Sequence, residues 1–397
     1  TQSPAVEAGQ QWSVADAQAL IAAIENIDKE GLDPADYRLM ELRMAIAGGP
    51  GDALNKAAGE SFTWVVEDLR DGRTPMEARR QWFVVDPDPD LMPTSSLMAE
   101  ALSTHDIAGV LASLAPINPE YAQLKEALAN TPKSEAKKRK LIRANMDRWR
   151  WLQQDLGTQY LITNVPEYQL RLVVKDKIVR TYRTIVGKPG RTATPQLAEK
   201  IQGVIFNPTW TVPQSIVKGE GLGAKVLGNP AWARAAGYKA TRGANGYVSV
   251  VQQPGANNSL GLMKLDMPNE HAIFLHDTPS RGLFNKDARA LSHGCIRTER
   301  ASELGLTLAI LQAKMPADEG VDIIKSGKYT RVGFEEKMPV YITYFTMGTD
   351  IDGTMRSYKD LYGRDAPVLE SFDKPRQSNR ARQTDEEVVE IIDDLQD

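Results

Sequence analysis

The chain has 397 residues, 42% hydrophobic and 25% charged, and 48 basic against 52 acidic side chains leave a net charge of −4. That length suits two to three domains, the composition can bury real cores and excludes bulk disorder, and the mild acidity removes any global electrostatic case for a nucleic-acid partner. No run approaches the ~18–20 consecutive apolar residues that cross a bilayer, so no membrane span is expected. The chain opens Thr1-Gln2-Ser3-Pro4, with no methionine, and we read this as a mature start from which an export signal has been removed. The single cysteine, Cys295, excludes an intrachain disulfide framework.

From Trp12 to about Trp151 the apolar residues recur at helical spacing, with Leu20, Ile21, Ile24 and Ile27 in one stripe and Phe62, Val65, Val66 and Leu69 in another. Asp33-Pro34-Ala35-Asp36 predicts a helix start, with Asp33 as cap and Pro34 in the first turn. Residues 86–95 form a Pro/Asp-rich break. Over 134–157, Leu141, Ile142, Met146, Trp149 and Leu152 share one face, and the basic run Lys137-Lys138-Arg139-Lys140 reads as a solvated face.

At Gln159 the period changes from 3.6 to 2. Residues 168–186 predict a hairpin turning at Lys175-Asp176-Lys177, and strand-like runs follow at 201–206, 247–252, 260–265 and 272–276. Residues 213–246, rich in Gly and Ala, interrupt these strands as a capping insertion. Within it, Gly219-Glu220-Gly221-Leu222-Gly223 lacks the rest of a dinucleotide fingerprint and reads as a lid loop. A helix is expected over 298–311 and a last hairpin over 339–358, turning near Asp352-Gly353. From Asp373 the chain reads as a charged tail, basic first and acidic last. The expected organisation is a helical domain over 1–152, a mostly β domain over 153–372 and a tail over 373–397.

Chemistry concentrates late in the chain. Of four histidines (His105, His271, His276 and His293), three lie within 25 residues of Cys295. Cys295 sits in Leu291-Ser292-His293-Gly294-Cys295-Ile296-Arg297, just ahead of the helical pattern. A helix N-terminus and the charge of Arg297 both favour a thiolate. Gly294 permits close backbone approach, and the neighbouring N–H groups suit an oxyanion. A thiol nucleophile needs a base, and His276, at a strand end opening into a loop, ranks above His293. Asp277, next in sequence, offers a carboxylate or a carbonyl to hold that imidazole. Two other readings stand beside this one: a buried structural thiol, and a zinc site of His271, His276, His293 and Cys295, for which no tight ligand spacing is present.

Ser292-His293-Gly294-Cys295 behind an upstream His276 resembles the signature of the L,D-transpeptidases with a YkuD-type catalytic domain. That family joins a histidine, across a gap, to [S/T]-H-G-C, and sixteen residues separate His276 from His293 here. The family's first histidine is often followed by Gly, where this chain has Asp277. Trp149-Arg150-Trp151-Leu152, the hairpin ending Val186-Gly187-Lys188-Pro189, Asn207-Pro208-Thr209-Trp210, Phe274-Leu275-His276-Asp277-Thr278-Pro279 and Gly31-Leu32-Asp33-Pro34-Ala35-Asp36-Tyr37 are similar to its large, scaffold-bearing YcbB-like branch, over roughly residues 12–370. No stretch matches the separate peptidoglycan-binding module common in that branch.

The resemblance implies an α+β fold, a helical scaffold followed by a mostly β catalytic sandwich with a capping insertion. It implies peptidoglycan tetrapeptide stems as donor and acceptor, no cofactor, no metal, and a periplasmic setting in a Gram-negative bacterium. Cys295 would attack the carbonyl of the third stem residue and expel D-alanine, and a side-chain amine of a neighbouring stem would take the thioester to form a 3→3 crosslink. Carbapenems would acylate the same cysteine. His276 would serve as base and acid, held by the Asp277 carbonyl, with His293 and Gly294 around the oxyanion. Arg297, Ser292, Trp210 and Phe274 would meet the substrate. The rival chemistry is hydrolysis, as an L,D-carboxypeptidase or a crosslink- or lipoprotein-cleaving enzyme; the rival class is a non-catalytic wall-binding scaffold.

Overall fold

The computed structural model describes residues 11–84, 92–219, 221–244, 246–378 and 381–388, so most of the Pro/Asp-rich break and the acidic end of the expected tail lie outside the described residues. The fold is α+β. Two compact units divide it: the first combines the described residues up to Leu156 with Phe345–Asp385, and the second is Gly157–Tyr344 with the described residues from Glu386.

The first unit opens with helices α1 (Val14–Glu25), α2 (Leu39–Ala47), α3 (Asp52–Asp71), α4 (Thr94–Thr104), α5 (Ile107–Ala112), α6 (Pro119–Asn130) and α7 (Ala136–Arg150). Ser13 caps α1 by accepting from the Asp16 N–H, and Asn118 with Pro119 opens α6 in the same manner. Leu20, Ile24, Leu54, Phe62, Val65 and Val66 meet in one core. The Asp33-Pro34 start yields only a 3₁₀ turn, Pro34–Tyr37, and α2 begins after Arg38 in the left-handed region at φ 55. The reason is tertiary. Asp36 is drawn to Arg73 at 2.8 Å, and Tyr37 turns inward to donate to the buried Asp68 at 3.0 Å.

On α7, Lys137 and Lys138 are exposed, while the last turns are buried. Asp147 there accepts from the Arg73 N–H (2.7 Å), the Thr74 N–H (3.0 Å), the Thr74 hydroxyl (2.6 Å) and the Trp151 indole (3.1 Å). Burial raises its pKa, but the charge of Arg150 and the bond from Thr74 outweigh it and hold the carboxyl below its ordinary range.

The second unit is built on strands β1 (Gln159–Asn164), β2 (Gln169–Val174), β3 (Lys177–Gly187) and β4 (Leu197–Phe206). The β2–β3 hairpin turns at Lys175 and Asp176, whose φ values of 49 and 59 suit a tight two-residue hairpin turn. The insertion follows: β5 (Trp210–Thr211), α8 (Gln214–Gly219), α9 (Leu222–Gly228), α10 (Pro230–Ala235), β6 (Tyr238–Arg242) and β7 (Val248–Gln252). It has a small sheet, β5-β7-β6, and its own apolar core of Trp210, Val212, Leu222, Val226, Tyr238 and Val250. The expected lid loop is a joint between packed helices: Gly221 turns at φ +66, and a Cβ on Gly223 would come within 2.9 Å of Val217. Glu220 lies outside the described residues.

The main sheet resumes with β8 (Met263–Asp266), β9 (Leu275–His276), β10 (Ala290–Ser292) and β11 (Ile296–Thr298), then α11 (Ala301–Ala313), α12 (Ala317–Ser326) and β12 (Thr330–Thr343). Its order is β10-β3-β11-β9-β8-β4-β12-β1-β2, and β2 also pairs with β3, which curls the sheet towards a barrel. In α11, a Cβ on Gly305 would lie 2.7 Å from Met263 and 3.1 Å from Val204, so only glycine lets the helix seat this close to β8 and β4.

The expected 339–358 hairpin is split. Residues 339–343 finish β12, which runs parallel to β1 and antiparallel to β4. The turn near Asp352-Gly353 joins two other short strands, β13 (Met347–Thr349) and β14 (Met355–Ser357), ahead of α13 (Asp365–Ser371). These late elements group with the helices rather than with the expected 153–372 domain. Phe345 stacks on Trp149 (4.5 Å between centroids), Thr346 donates its N–H to Asn145 (2.9 Å), and Asp365 pairs with Arg148 (2.7 Å). Nor does the expected tail begin free at Asp373: Arg376 is buried against Asp68 (3.0 Å) and Glu67 (2.6 Å).

Candidate active site

Three short strands assemble the site. β9 lies between β8 and β11, with Lys264 opposite His276 on one side and Arg297 beside His276 on the other. The Ile296 N–H donates to the Phe274 carbonyl at 2.9 Å, which sets Cys295 next to Phe274. Paired residues share a face and successive residues alternate. Lys264, Phe274, His276, Cys295 and Arg297 therefore fall on one face of the sheet. The Lys264 ammonium sits 3.4 Å from the centroid of the Phe274 ring, in agreement with that register.

Cys295 is partly exposed, its Sγ 3.7 Å from the Ala272 carbonyl oxygen. The helix expected just after it starts only at Ala301, because Ile296–Thr298 is a strand whose Ile296 fills the core. The helix dipole is therefore not at the sulfur, and Lys264 and Arg297 supply the local positive charge.

His276 is buried, with Nδ1 2.5 Å from the Asp277 carbonyl oxygen. A carbonyl only accepts, so Nδ1 carries the proton and Nε2 keeps the lone pair. Burial first, and then the charges of Arg297 and Lys264, press the imidazole pKa down to about 3, against the opposing effect of the Asp277 carbonyl. The ring is neutral at physiological pH.

The Asp277 carboxylate is used elsewhere. It accepts from the Leu262 N–H at 2.9 Å and meets Arg281 at 3.4 Å. Gly261 closes over it at φ +60, where a Cβ would come within 2.4 Å of the carboxylate. Sequence reasoning missed Gly261; the signal was an isolated glycine inside a strand-like run.

The loop before Cys295 is closed by its own side chains. Gly294 adopts φ +121, open to glycine alone. Ser292, expected to meet substrate, is buried and donates to the Cys295 carbonyl at 2.5 Å while accepting from the Gly294 N–H at 3.2 Å. Both hydrogen bonds of its hydroxyl stay within the loop, and the Gly294 N–H, expected at an oxyanion, turns inward to it. The Gly294 carbonyl accepts from Thr194 at 2.8 Å, and Thr194 in turn accepts from the Gly187 N–H at 2.9 Å. Thr194, fully buried, was not foreseen.

The other candidates separate. His293 is buried in the same loop. Trp210, expected in the cleft, is buried in the insertion's own core, because β5 pairs with β7. His105 lies in the helical unit beside Asp16 at 3.0 Å. Among the described residues, no three His, Cys, Asp or Glu side chains converge as a metal-ligand group.

Comparison with known proteins finds two family matches. The YkuD family, described as an L,D-transpeptidase catalytic domain, matches residues 158–307, and a family described as a scaffold domain matches residues 8–128. A curated Haemophilus influenzae protein named "Putative L,D-transpeptidase" is 29% identical over 223 residues, covering 52% of this chain and 45% of its own length. The chain thus spans about half of that relative. A solved structure of an Ldtfm–avibactam carbamoyl enzyme overlaps 47% of this chain and 49% of its own at 13% identity and a TM-score of 0.23, too little to support an argument. No helix among the described residues is long and apolar enough to cross a membrane. This chain carries a YkuD L,D-transpeptidase catalytic domain behind a scaffold domain, the architecture of the YcbB-like branch of that family.

Proposed function

We propose that the chain is a periplasmic peptidoglycan L,D-transpeptidase that forms 3→3 crosslinks. The observation that carries this reading is the β8–β9–β11 register, which aligns a partly exposed thiol with an imidazole whose Nε2 is the basic nitrogen. The catalytic-domain match and the name of the Haemophilus influenzae relative support it.

Nε2 of His276 takes the Cys295 proton as sulfur attacks the carbonyl of the third residue of a donor tetrapeptide. The tetrahedral intermediate collapses, the carbon–nitrogen bond breaks, and the imidazolium returns the proton to the departing D-alanine amine. An acceptor-stem amine then attacks the thioester, gives a proton to His276 and restores the thiol. Burial, with the charges of Arg297 and Lys264, disfavours protonated His276, which keeps the imidazolium brief and hastens its proton to the leaving group.

Incubating purified disaccharide tetrapeptide with the enzyme and weighing the products tests the chemistry. The expected product is a crosslinked dimer with one D-alanine lost; tripeptide alone would replace transfer with hydrolysis. A carbapenem should add its mass to the wild type and not to Cys295→Ala, and a chain that acquires no adduct would be a binding scaffold instead.

A further inference from the structure

The loop between β8 and β9 brings a main-chain oxygen to the nucleophile. Ala272 sits there at φ +52, a left-handed conformation that alanine rarely takes and that persists only where its surroundings hold it. Its side chain is exposed, so packing of the methyl group does not explain the strain. The carbonyl does have a use: it accepts from the Cys295 thiol, with Sγ 3.7 Å from the oxygen. Two residues on, the Phe274 carbonyl accepts from the Ile296 N–H at 2.9 Å. The two carbonyls thus meet consecutive residues of the neighbouring segment, and the sulfur stands where a ladder donor would.

Asn269 ties this loop shut. Its amide donates to the Met267 carbonyl at 2.8 Å and the Ile273 carbonyl at 2.7 Å, and accepts from the Ile273 N–H at 3.1 Å. The Ala272 N–H turns back to the Asn269 carbonyl at 3.3 Å. Met267 and Ile273 are fully buried, so both ends of the clamp are anchored. A hydrogen bond from a thiol to a carbonyl favours the uncharged form, because a thiolate would face the oxygen's lone pairs. It works against Lys264 on β8 and Arg297 on β11, which favour a thiolate from the same face of the sheet. The other titratable neighbours are His276 on β9, His293 in the cysteine's own loop, and Glu270 and His271 beside Ala272.

Resting on the reading of Cys295 as the nucleophile, we infer that Asn269 is a positioning residue. Through the strained Ala272 it holds a carbonyl against Sγ, which keeps Cys295 an oriented, uncharged thiol until a substrate is seated and His276 takes the proton.

Two reagents separate charge from orientation. Iodoacetamide needs no binding site and reads the thiolate, whereas a carbapenem must be aligned and reads the direction of the sulfur. Asn269→Ala should move the pH profile of Cys295 alkylation down by about half a unit to one unit, the worth of one hydrogen bond. The same variant should slow acylation at saturating carbapenem about tenfold and leave the half-saturating concentration unchanged. Glycine takes a positive φ without strain, so adding Ala272→Gly to Asn269→Ala should return both readings towards wild type. Melting curves check the fold, and where Asn269→Ala does not fold, Asn269→Ser is measured in its place with the same expectation. An alkylation profile that stays in place or moves up would overturn the inference. So would slower acylation without a shift in the profile, the mark of a merely structural loop, or a double variant that recovers neither reading. A wild type that acquires no carbapenem adduct would instead overturn the transpeptidase reading, and the alkylation profiles would still decide what Asn269 does to the thiol.

Discussion

His276 departs furthest from its ordinary chemistry, its pKa falling from 6.5 to about 3. Between those values the unfolded chain binds a proton that the folded chain refuses. Stability therefore rises with pH across that window and falls as the solution is acidified below 6.5. Melting curves of His276→Gln should lose part of that acid slope. A neutral ring also means that no thiolate–imidazolium pair is formed in advance, so iodoacetamide alkylation of Cys295 should climb steadily between about pH 5 and about pH 9. A rate that is flat over that range would show the pair preformed. At the next residue the orienting atom is a carbonyl, so Asp277→Asn should keep carbapenem acylation within about threefold of wild type; the ion pair it loses to the exposed Arg281 is worth at most about 1 kcal/mol. Loss of acylation in that variant would assign the carboxylate a part in the chemistry.

At the scale of the element, the loop from Ser292 to Cys295 depends on Thr194, a hundred residues upstream. Thr194→Val keeps the shape and removes the hydroxyl, leaving the Gly294 carbonyl and the Gly187 N–H without that partner at a cost of about 1–3 kcal/mol each. The variant should melt earlier and acylate more slowly, and an unchanged acylation rate would show that the loop holds itself. Such support explains what was legible in the sequence. The change of period at Gln159, the β2–β3 hairpin and the cluster of histidines around one cysteine are local patterns, and local patterns can be read. The partner of Gly294, the inward turn of Ser292 and the burial of Trp210 are decided by segments far along the chain. The misplaced helix starts at Asp33 and after Cys295 have the same origin: Asp68 and Arg73 draw the first aside, and strand pairing claims Ile296 before α11 begins.

At the scale of the molecule, the helical unit draws on both ends of the chain. Arg376 reaches the buried Asp68 and Glu67, and Tyr37 donates to the same Asp68. Breaking one partner of a buried ion pair costs about 3–5 kcal/mol, because the remaining charge stays buried alone. Arg376→Met should therefore lower the melting temperature of the helical unit by several degrees in calorimetry. An unchanged transition would show that solvent reaches Asp68 and takes the place of Arg376.

The order of synthesis follows from that path. The strands of the main sheet come from one stretch, Gln159–Thr343, whereas the helices before it must wait for Phe345–Asp385 to seat against them. Until then Asp68 lacks Arg376, and helices translated before the main sheet reach their final stability after it.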